Sequence, residues 1–174
     1  RMTSKTGDPP AMKPLLTALA ALALVAAASP AFAQNAGQIA RVRGGASCPG
    51  CNLFQGSFGG LEARDLNLTG ARLRQADLSL SVMNRTRFNN TDMRDVDAYG
   101  AVFSSSNFSR ANLTNASFVG AYLEGSSFSG ATLDGTNFSG AQLARATGLT
   151  QAQLNRACGD ASTTLPSGLR IPAC

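Results

Sequence analysis

Residues 106–130 read SNFSR, ANLTN, ASFVG, AYLEG and SSFSG, five segments of five residues that share one layout. The third residue of each segment is Phe or Leu, the first is Ala or Ser, and most other positions are polar or Gly. The layout continues in one unbroken phase from residue 51 to residue 145, which gives nineteen consecutive segments. Their central residues are Leu53, Phe58, Ala63, Leu68, Leu73, Leu78, Met83, Phe88, Met93, Ala98, Phe103, Phe108, Leu113, Phe118, Leu123, Phe128, Leu133, Phe138 and Leu143.

A period of five fits neither an amphipathic helix nor a strand. Helical faces repeat every 3.6 residues and strand faces every two, so either element would bury polar residues within two turns. A short side of five residues that ends in a corner avoids this conflict. The pattern therefore favours a chain of short sides joined by corners.

The layout resembles the pentapeptide-repeat family, whose repeats read A-(D/N)-L-x-x. The segments ANLTN at residues 111–115 and ARLRQ at residues 71–75 are close matches, and the resemblance covers about 95 of the 174 residues. It implies an all-β fold, a right-handed quadrilateral parallel β-helix in which four repeats make one coil and residues 20 apart stack. The central residue and the residue two before it would point inwards, and nineteen repeats would make about 4.75 coils.

In two repeats the sizes of the two inward-facing side chains compensate each other, so that the volume of the core is maintained. Where the centre shrinks to Ala63 or Ala98, the inner partner grows to Leu61 or Val96, as close packing requires. The repeat at residues 66–70 instead has leucine at both inner positions. We expect looser geometry there.

The start of the chain has the features of a secretory signal peptide at residues 12–33. A charged start is followed by an apolar run, by Pro30 and by the sequence AFA that ends at Ala33. The run is shorter than the roughly 18–20 residues that span a bilayer. The sequence therefore predicts an upstream extension at residues 1–11, cleavage after Ala33, and a periplasmic or secreted protein without a stable membrane anchor.

Segments on both sides of the repeat block at residues 51–145 are predicted to cap its open strand edges. Residues 34–50 form a Gly-rich linker that can add one strand under the first coil. Residues 146–174 are predicted to form a short α-helix and a tail, because Thr150 and Gln153 make a capping box. Gly159 is expected to end this helix, and the residues expected to be buried under it are Leu149 and Leu154.

The four cysteines lie at the two ends of the repeat block and allow three pairings. In the rod that the resemblance implies, the ends are roughly 20–25 Å apart. Bonded cysteines have Cα atoms within about 7 Å of each other. This favours disulfides between Cys48 and Cys51 and between Cys158 and Cys174.

The Cys48-Pro-Gly-Cys51 motif has several interpretations. A c-type haem site is excluded because Asn52 stands where the histidine is required, and a zinc site lacks two further ligands nearby. A redox-active pair has this spacing, but that chemistry relies on a helix N-terminus to lower the thiol pKa. A structural disulfide suits the oxidising compartment that export implies.

Charge is balanced along the repeats. Residues 34–174 hold twelve arginines and nine acidic residues, a net charge of +3, and the repeat block holds eight of each. This balance argues against a nucleic-acid-binding stripe and against an acidic mimic of DNA. Stacking would place Arg72 near Asp92 in a lattice of exposed ion pairs of small net stability, without the spacing of a calcium loop. The other members would be Arg74, Arg94, Asp95 and Asp97.

An apolar stripe is predicted on one corner of the rod. Val82, Val102 and Tyr122 are spaced by 20 residues in an outward position, and Tyr99 and Val119 flank the same corner. Contiguous exposed apolar residues usually mark a contact surface, although β-branched and aromatic residues also suit strands in general. The stripe is therefore a candidate interface for a partner protein or for a homodimer.

The chain contains no histidine, and no lysine follows residue 33. It therefore lacks the commonest general base and metal ligand, and we expect no enzyme activity, no metal and no cofactor. The sequence favours an exported structural or protein-interaction scaffold. Two alternatives stay open: a periplasmic thiol-redox protein that uses Cys48 and Cys51, and a DNA mimic that interacts with a topoisomerase, as some members of the resembling family do.

Overall fold

The computed structural model describes Gly7 and residues 34–174 of the 174-residue chain. The predicted signal peptide at residues 12–33 lies outside the described residues, as does the predicted extension apart from Gly7. In chain order the regular elements are α1 (Ala36–Arg43), β1 (Glu62–Arg64), β2 (Val82–Asn84) and α2 (Gln151–Leu154). Strands β1 and β2 pair in parallel, and the remaining β structure consists of single parallel bridges.

The repeat block is a parallel β-helix with four sides, as predicted. Bridges join residues 20 apart, as in the column Asn52, Arg72, Asp92, Asn112 and Thr132. The fifth residue of each repeat from residue 55 to residue 140 has a φ between 53° and 74°. This left-handed conformation turns the chain at every corner, so each side is too short to form a longer strand.

The centres of the repeats fill one continuous core. All seventeen large centres predicted as core residues are buried. The rings of Phe88, Phe108 and Phe128 stack on successive coils, with centroids 4.9 and 5.2 Å apart. Such stacked pairs contribute about 0.5–1.5 kcal/mol each beyond the burial of their area.

The second residue of many repeats stabilises its own side. Asn112 accepts a hydrogen bond through Oδ1 from the backbone N–H of Thr114 at 3.1 Å, and Asp97 accepts one from that of Tyr99 at 3.0 Å. The same contact is made by Asn52, Asn67, Asp77, Asp92, Asn107 and Asn137. A short polar side chain can satisfy the backbone two residues on, which explains the preference for Asn and Asp at this position.

The repeat at residues 66–70 has regular geometry, so the expectation of a looser repeat is wrong. Leu66 and Leu68 are both buried, and the N–H of Leu68 donates to the carbonyl of Arg87 at 2.9 Å. Val42 and Cys48 belong to the same buried cluster. These side chains close the end of the first coil, which allows both leucines to pack.

The segment before the repeats forms helix α1 instead of the expected strand. Asn35 is its N-cap and accepts a hydrogen bond from the N–H of Gln38, and Gly44 follows its last residue. Val42 points into the core and is fully buried. The helix is stable here because its caps are satisfied locally, and Val42 and Ile39 both pack against the core at the open end of the first coil.

The β-helix also begins one repeat earlier than residue 51. The N–H groups of Cys48 and Gly50 donate to the carbonyls of Asn67 and Thr69 at 3.0 and 2.9 Å. This is the pairing pattern that the later coils use. The coiled region therefore starts at about residue 46, inside the predicted linker.

The C-terminal segment completes the last coil. Helix α2 carries the predicted capping box between Thr150 and Gln153, and Leu154 is fully buried. The helix ends at Leu154, before the expected stop at Gly159. It ends early because the chain returns to β pairing, with bridges from Cys158 to Asn137 and from Thr164 to Gln142.

Candidate binding surface

Stacking places Arg72 beside Asp92, as predicted, through a parallel bridge, but the salt bridge of Asp92 is made by a different arginine. Asp92 binds Arg94 of its own repeat, with Oδ2 2.7 Å from Nη2, and Arg74 lies 3.5 Å from Asp95. The Arg72 guanidinium lies 4.8 Å from the centre of the Phe54 ring. The hydrogen bond from Arg94 lowers the pKa of the Asp92 carboxyl. Within the part of the chain that the structure describes, no group of acidic or cysteine residues is arranged to hold a metal ion.

Asp97, the remaining member of the predicted lattice, lies on the next side of the rod. Its carboxylate accepts from the backbone of Tyr99, as described above. The other members stay coupled, because Arg74 also acts on the charge of Asp92 and Asp95 on that of Arg94. Exposed pairs of this kind contribute little to stability, and they form no site.

The two disulfides join Cys48 to Cys51 and Cys158 to Cys174, with Cα atoms 5.5 and 4.8 Å apart. The first is inside the core, since the two residues are only 1% and 9% exposed. The second lies at the opposite end, where Cys174 is exposed. A buried sulfur is not accessible to an attacking thiolate.

The predicted stripe residues do lie along one corner. Backbone bridges link Val82 to Val102 and Val102 to Tyr122 on successive coils. These three residues and Val119 are partly buried between their neighbours, whereas Tyr99 is 55% exposed. Val82, Val102, Val119 and Tyr122 therefore form a partly buried surface. The Tyr99 side chain projects from this surface into solvent.

Leu80 belongs to the same corner, although the sequence-based prediction of the stripe did not include it. It is 62% exposed, and its N–H donates to the carbonyl of Tyr99 on the next coil at 2.7 Å. Leu80 and Tyr99 are the two exposed large hydrophobic residues of the described chain. We call the set Leu80, Val82, Tyr99, Val102, Val119 and Tyr122 the apolar corner.

The conformation of Leu80 is unusual for its residue type. It occupies a corner position with φ 56°, where the other described non-glycine residues are all polar or charged. A β-carbon added to Gly100 would lie 2.9 Å from Leu80 Cδ2, so the leucine side chain lies across this glycine. A leucine in the left-handed region costs about 1–2 kcal/mol, and such a cost points to a role outside folding.

A sequence signal for Leu80 did exist. The stripe is predicted from the outward-facing residues next to each repeat centre. Leu80 is instead the fifth residue of its repeat, a position that normally only turns the chain. Leucine in place of the usual Gly or Asn at a corner is the signal that identifies it.

A shallow groove continues the apolar corner beyond Tyr122. It is lined by Ser104, Ser105, Glu124 and Arg145. Glu124 lies 3.5 Å from Arg145 and accepts hydrogen bonds from the backbone N–H groups of residues 144 and 145. The carboxylate is therefore engaged in closing the last coil.

No helix among the described residues is long and apolar enough to cross a membrane. No curated protein matches the chain significantly. Several solved structures are similar to it. HetL from the cyanobacterium Nostoc sp. strain PCC 7120, a pentapeptide repeat protein involved in heterocyst differentiation regulation, is 22% identical, with a TM-score of 0.39 over 74% of this chain and 59% of HetL.

A pentapeptide repeat protein from the thylakoid lumen of Arabidopsis thaliana is 20% identical, with a TM-score of 0.27 over 72% of this chain and 61% of that protein. The chain thus spans about three fifths of the length of these two proteins. The pentapeptide repeat protein Rfr23 from the cyanobacterium Cyanothece 51142 is 22% identical, with a TM-score of 0.34 over 74% of this chain and 97% of Rfr23.

The model of the family described as pentapeptide repeats matches eight copies in this chain. The matches cover residues 67–105, 92–130, 106–143 and 126–158. Together they span residues 67–158, more than half of the chain. The protein therefore belongs to the family of pentapeptide-repeat proteins.

Proposed function

We propose that this protein is an exported, non-enzymatic scaffold that binds a protein partner through the apolar corner. The observation that carries the proposal is that Leu80 and Tyr99 lie next to each other. Both large exposed apolar side chains of the described chain lie on adjacent coils of one corner. Exposed apolar residues that cluster in this way mark interaction surfaces.

A scaffold role agrees with the chemistry of the chain. Without histidine, and without lysine after residue 33, proton transfer would depend on carboxylates. Asp92 and Asp95 are engaged by arginines, and Asp77 and Asp97 cap their own sides. Repeat architecture, in contrast, suits the presentation of an extended rigid surface.

Export is supported by the signal-peptide features of residues 12–33 and by the two disulfides. Disulfides form and persist in oxidising compartments. The periplasm or the extracellular space is therefore the proposed location.

The two alternative functions have less support. A thiol-redox role needs an accessible sulfur, and Cys48 and Cys51 are buried in the core. A DNA mimic needs a continuous acidic surface, whereas the repeat block carries eight arginines and eight acidic residues. Neither alternative has a specific structural observation in its favour.

The proposal is tested by crosslinking in the periplasm followed by purification of the tagged protein. The wild type is compared with a variant that carries Leu80→Asn and Tyr99→Ser, and with a control that carries Asn90→Ser and Ser109→Asn on the opposite corner. We expect a protein that is enriched with the wild type and the control and is lost with the first variant. That protein should then bind the purified wild type.

Equal recovery of every crosslinked protein from all three samples would overturn the proposal. A crosslinked product that contains only this chain would instead identify a homodimer. Val102 and Tyr122 are left unchanged because both are partly buried, and their replacement would disturb the fold itself.

A further inference from the structure

We infer that the segment bound at the apolar corner is cationic as well as apolar: a partner stretch in which large apolar side chains are flanked by Lys or Arg. The inference rests on the proposed function and names the chemistry of its partner. It comes from two carboxylates beside Leu80 and Tyr99 that no arginine of the described chain pairs with.

Asp77 and Asp97 lie on the side of the rod that leads into the apolar corner. They occupy the same position on successive coils and are joined by a parallel bridge, which places the two carboxylates about 4.8 Å apart along the rod. Each accepts a backbone hydrogen bond through Oδ1, from Ser79 and Tyr99 respectively. No hydrogen bond within the described residues engages either Oδ2 atom, and that of Asp77 lies over Gly59, which has no side chain to cover it.

Within the described residues, neither carboxylate forms an ion pair. This side of the rod carries no other charged residue in its five repeats. Arg43 of α1 reaches its lower end, where Nη1 donates to the carbonyl of Ser57 at 2.9 Å. Two stacked negative charges, with Arg43 as the one cation at the lower end of their side and no ion pair to either of them, raise the local negative potential.

The other flank of the apolar corner is close to neutral. Its charges are engaged with one another, as Arg85 binds Asp65 at 2.7 Å and Arg145 lies 3.5 Å from Glu124. Glu62 and Arg64 balance each other in charge at the first coil. The net charge beside the apolar corner is therefore negative, although residues 34–174 carry +3 overall.

The size of the apolar corner favours a segment over a second copy of the rod. Tyr99 at 55% exposure offers about 80–140 Å² of the 150–250 Å² that an aromatic side chain can bury. With Leu80 and four half-buried neighbours, the patch is on the order of a few hundred Å². A stable dimer of standard size buries about 800 Å² on each partner.

The test measures fluorescence anisotropy of four labelled 12-residue peptides with the purified, oxidised, exported protein. The peptides combine either Leu and Phe or Ser and Asn with either Lys or Glu. We expect only the peptide with apolar residues and Lys to bind. Replacing both carboxylates by Asp77→Asn and Asp97→Asn should weaken its binding about tenfold at low salt, by the loss of two exposed charge pairs, and much less at 0.5 M salt.

The double variant keeps the fold, because Asn137 makes the same backbone contact at the same position two coils later. A control with Asp92→Asn and Asp134→Asn, both on the side of residues 91–95 and 131–135 that does not adjoin the apolar corner, changes the net charge equally and should bind as the wild type does.

The outcomes separate this inference from the proposed function. The cationic partner is contradicted if Leu80→Asn abolishes binding but the Asp77 and Asp97 variant does not. It is also contradicted if the apolar peptide with Glu binds as well as the one with Lys. In both cases the apolar corner remains a contact surface. If no peptide binds, or Leu80→Asn has no effect, the corner fails as a site for such a segment. A dimer in light scattering that dissociates with Leu80→Asn would assign the corner to a second copy and would overturn the inference.

Discussion

The apolar corner and the corner two sides further round the rod have the same backbone and different side chains. Leu80 and Asn90 are equivalent corner residues, with φ 56° and 55°. One coil after Leu80 lies Tyr99, and one coil after Asn90 lies Ser109. Since the backbone is the same, the difference between the corners is not needed for folding, and it indicates where the molecule makes contact.

The largest expected effect tests whether both corners share one core. Phe118 precedes the apolar corner and Phe108 precedes the opposite one, and both are fully buried. Phe118→Ala and Phe108→Ala should each lower the free energy of unfolding by about 3–5 kcal/mol, through lost burial and a cavity. Denaturant titration followed by circular dichroism measures this, and a large difference between the two variants would contradict a shared core.

Gly100 provides the next test, because Leu80 lies across it. Gly100→Ala must adopt positive φ and also displace Leu80, so it should cost about 2 kcal/mol, against about 1 kcal/mol for Gly120→Ala. Gly120 has φ 68° and no atom within 4 Å of an added β-carbon.

In the Leu80→Asn background, the two glycine variants should have equal free energies of unfolding. A cost of Gly100→Ala that persists undiminished there would show that Leu80 does not pack across this glycine.

Exchanging the residues at positions 80 and 90 should change the free energy of unfolding by a smaller amount, with opposite signs at the two corners. Leu80→Asn should raise the free energy of unfolding by about 0.5–1 kcal/mol, because Asn tolerates positive φ better than Leu. Asn90→Leu should lower it by a similar amount. Thermal melts of both variants check this, and a destabilised Leu80→Asn protein would mean that Leu80 serves the fold.

The smallest effect concerns charge away from the apolar corner. Arg94 lowers the pKa of Asp92, so this pair stabilises the folded protein above the ordinary pKa of an aspartate. The contribution is lost as the pH falls through the lowered pKa. Asp92→Asn should therefore be slightly less stable than the wild type at pH 6, by at most about 0.5 kcal/mol for a solvent-screened pair, and the difference should shrink as the pH falls below the ordinary pKa of an aspartate. A difference that grows on acidification would contradict the sign.

Much of the fold was predictable because the repeat pattern is physically strict. A large residue at every fifth position, as at Phe108, must be buried if each side is to pack. Helix α1 was missed because four of the seventeen residues at 34–50 are glycine, although Asn35 and Gly44 supply its two ends. Stacking correctly placed Arg72 beside Asp92, but the period could not show that Arg94 of the same repeat binds that carboxylate.

The candidate site was predictable only in part. Columns of residues 20 apart identified Tyr99 but could not show that Val82 and Val102 are half-covered. The solvent exposure of each residue depends on how much of it the neighbouring side chains cover. The 20-residue spacing does not contain that information. Leu80 was missed because a corner position was interpreted only as a turn.

Site-specific photo-crosslinking at residues 80 and 90 tests the central claim most directly. A benzoylphenylalanine is placed at one corner or the other in the exported protein, and the crosslinked products are identified by mass spectrometry. Both positions are exposed corners with the same backbone, so the probe samples the same geometry twice. The account predicts a defined partner protein crosslinked from residue 80 and none from residue 90; equal products from both corners, or none from residue 80, would contradict it.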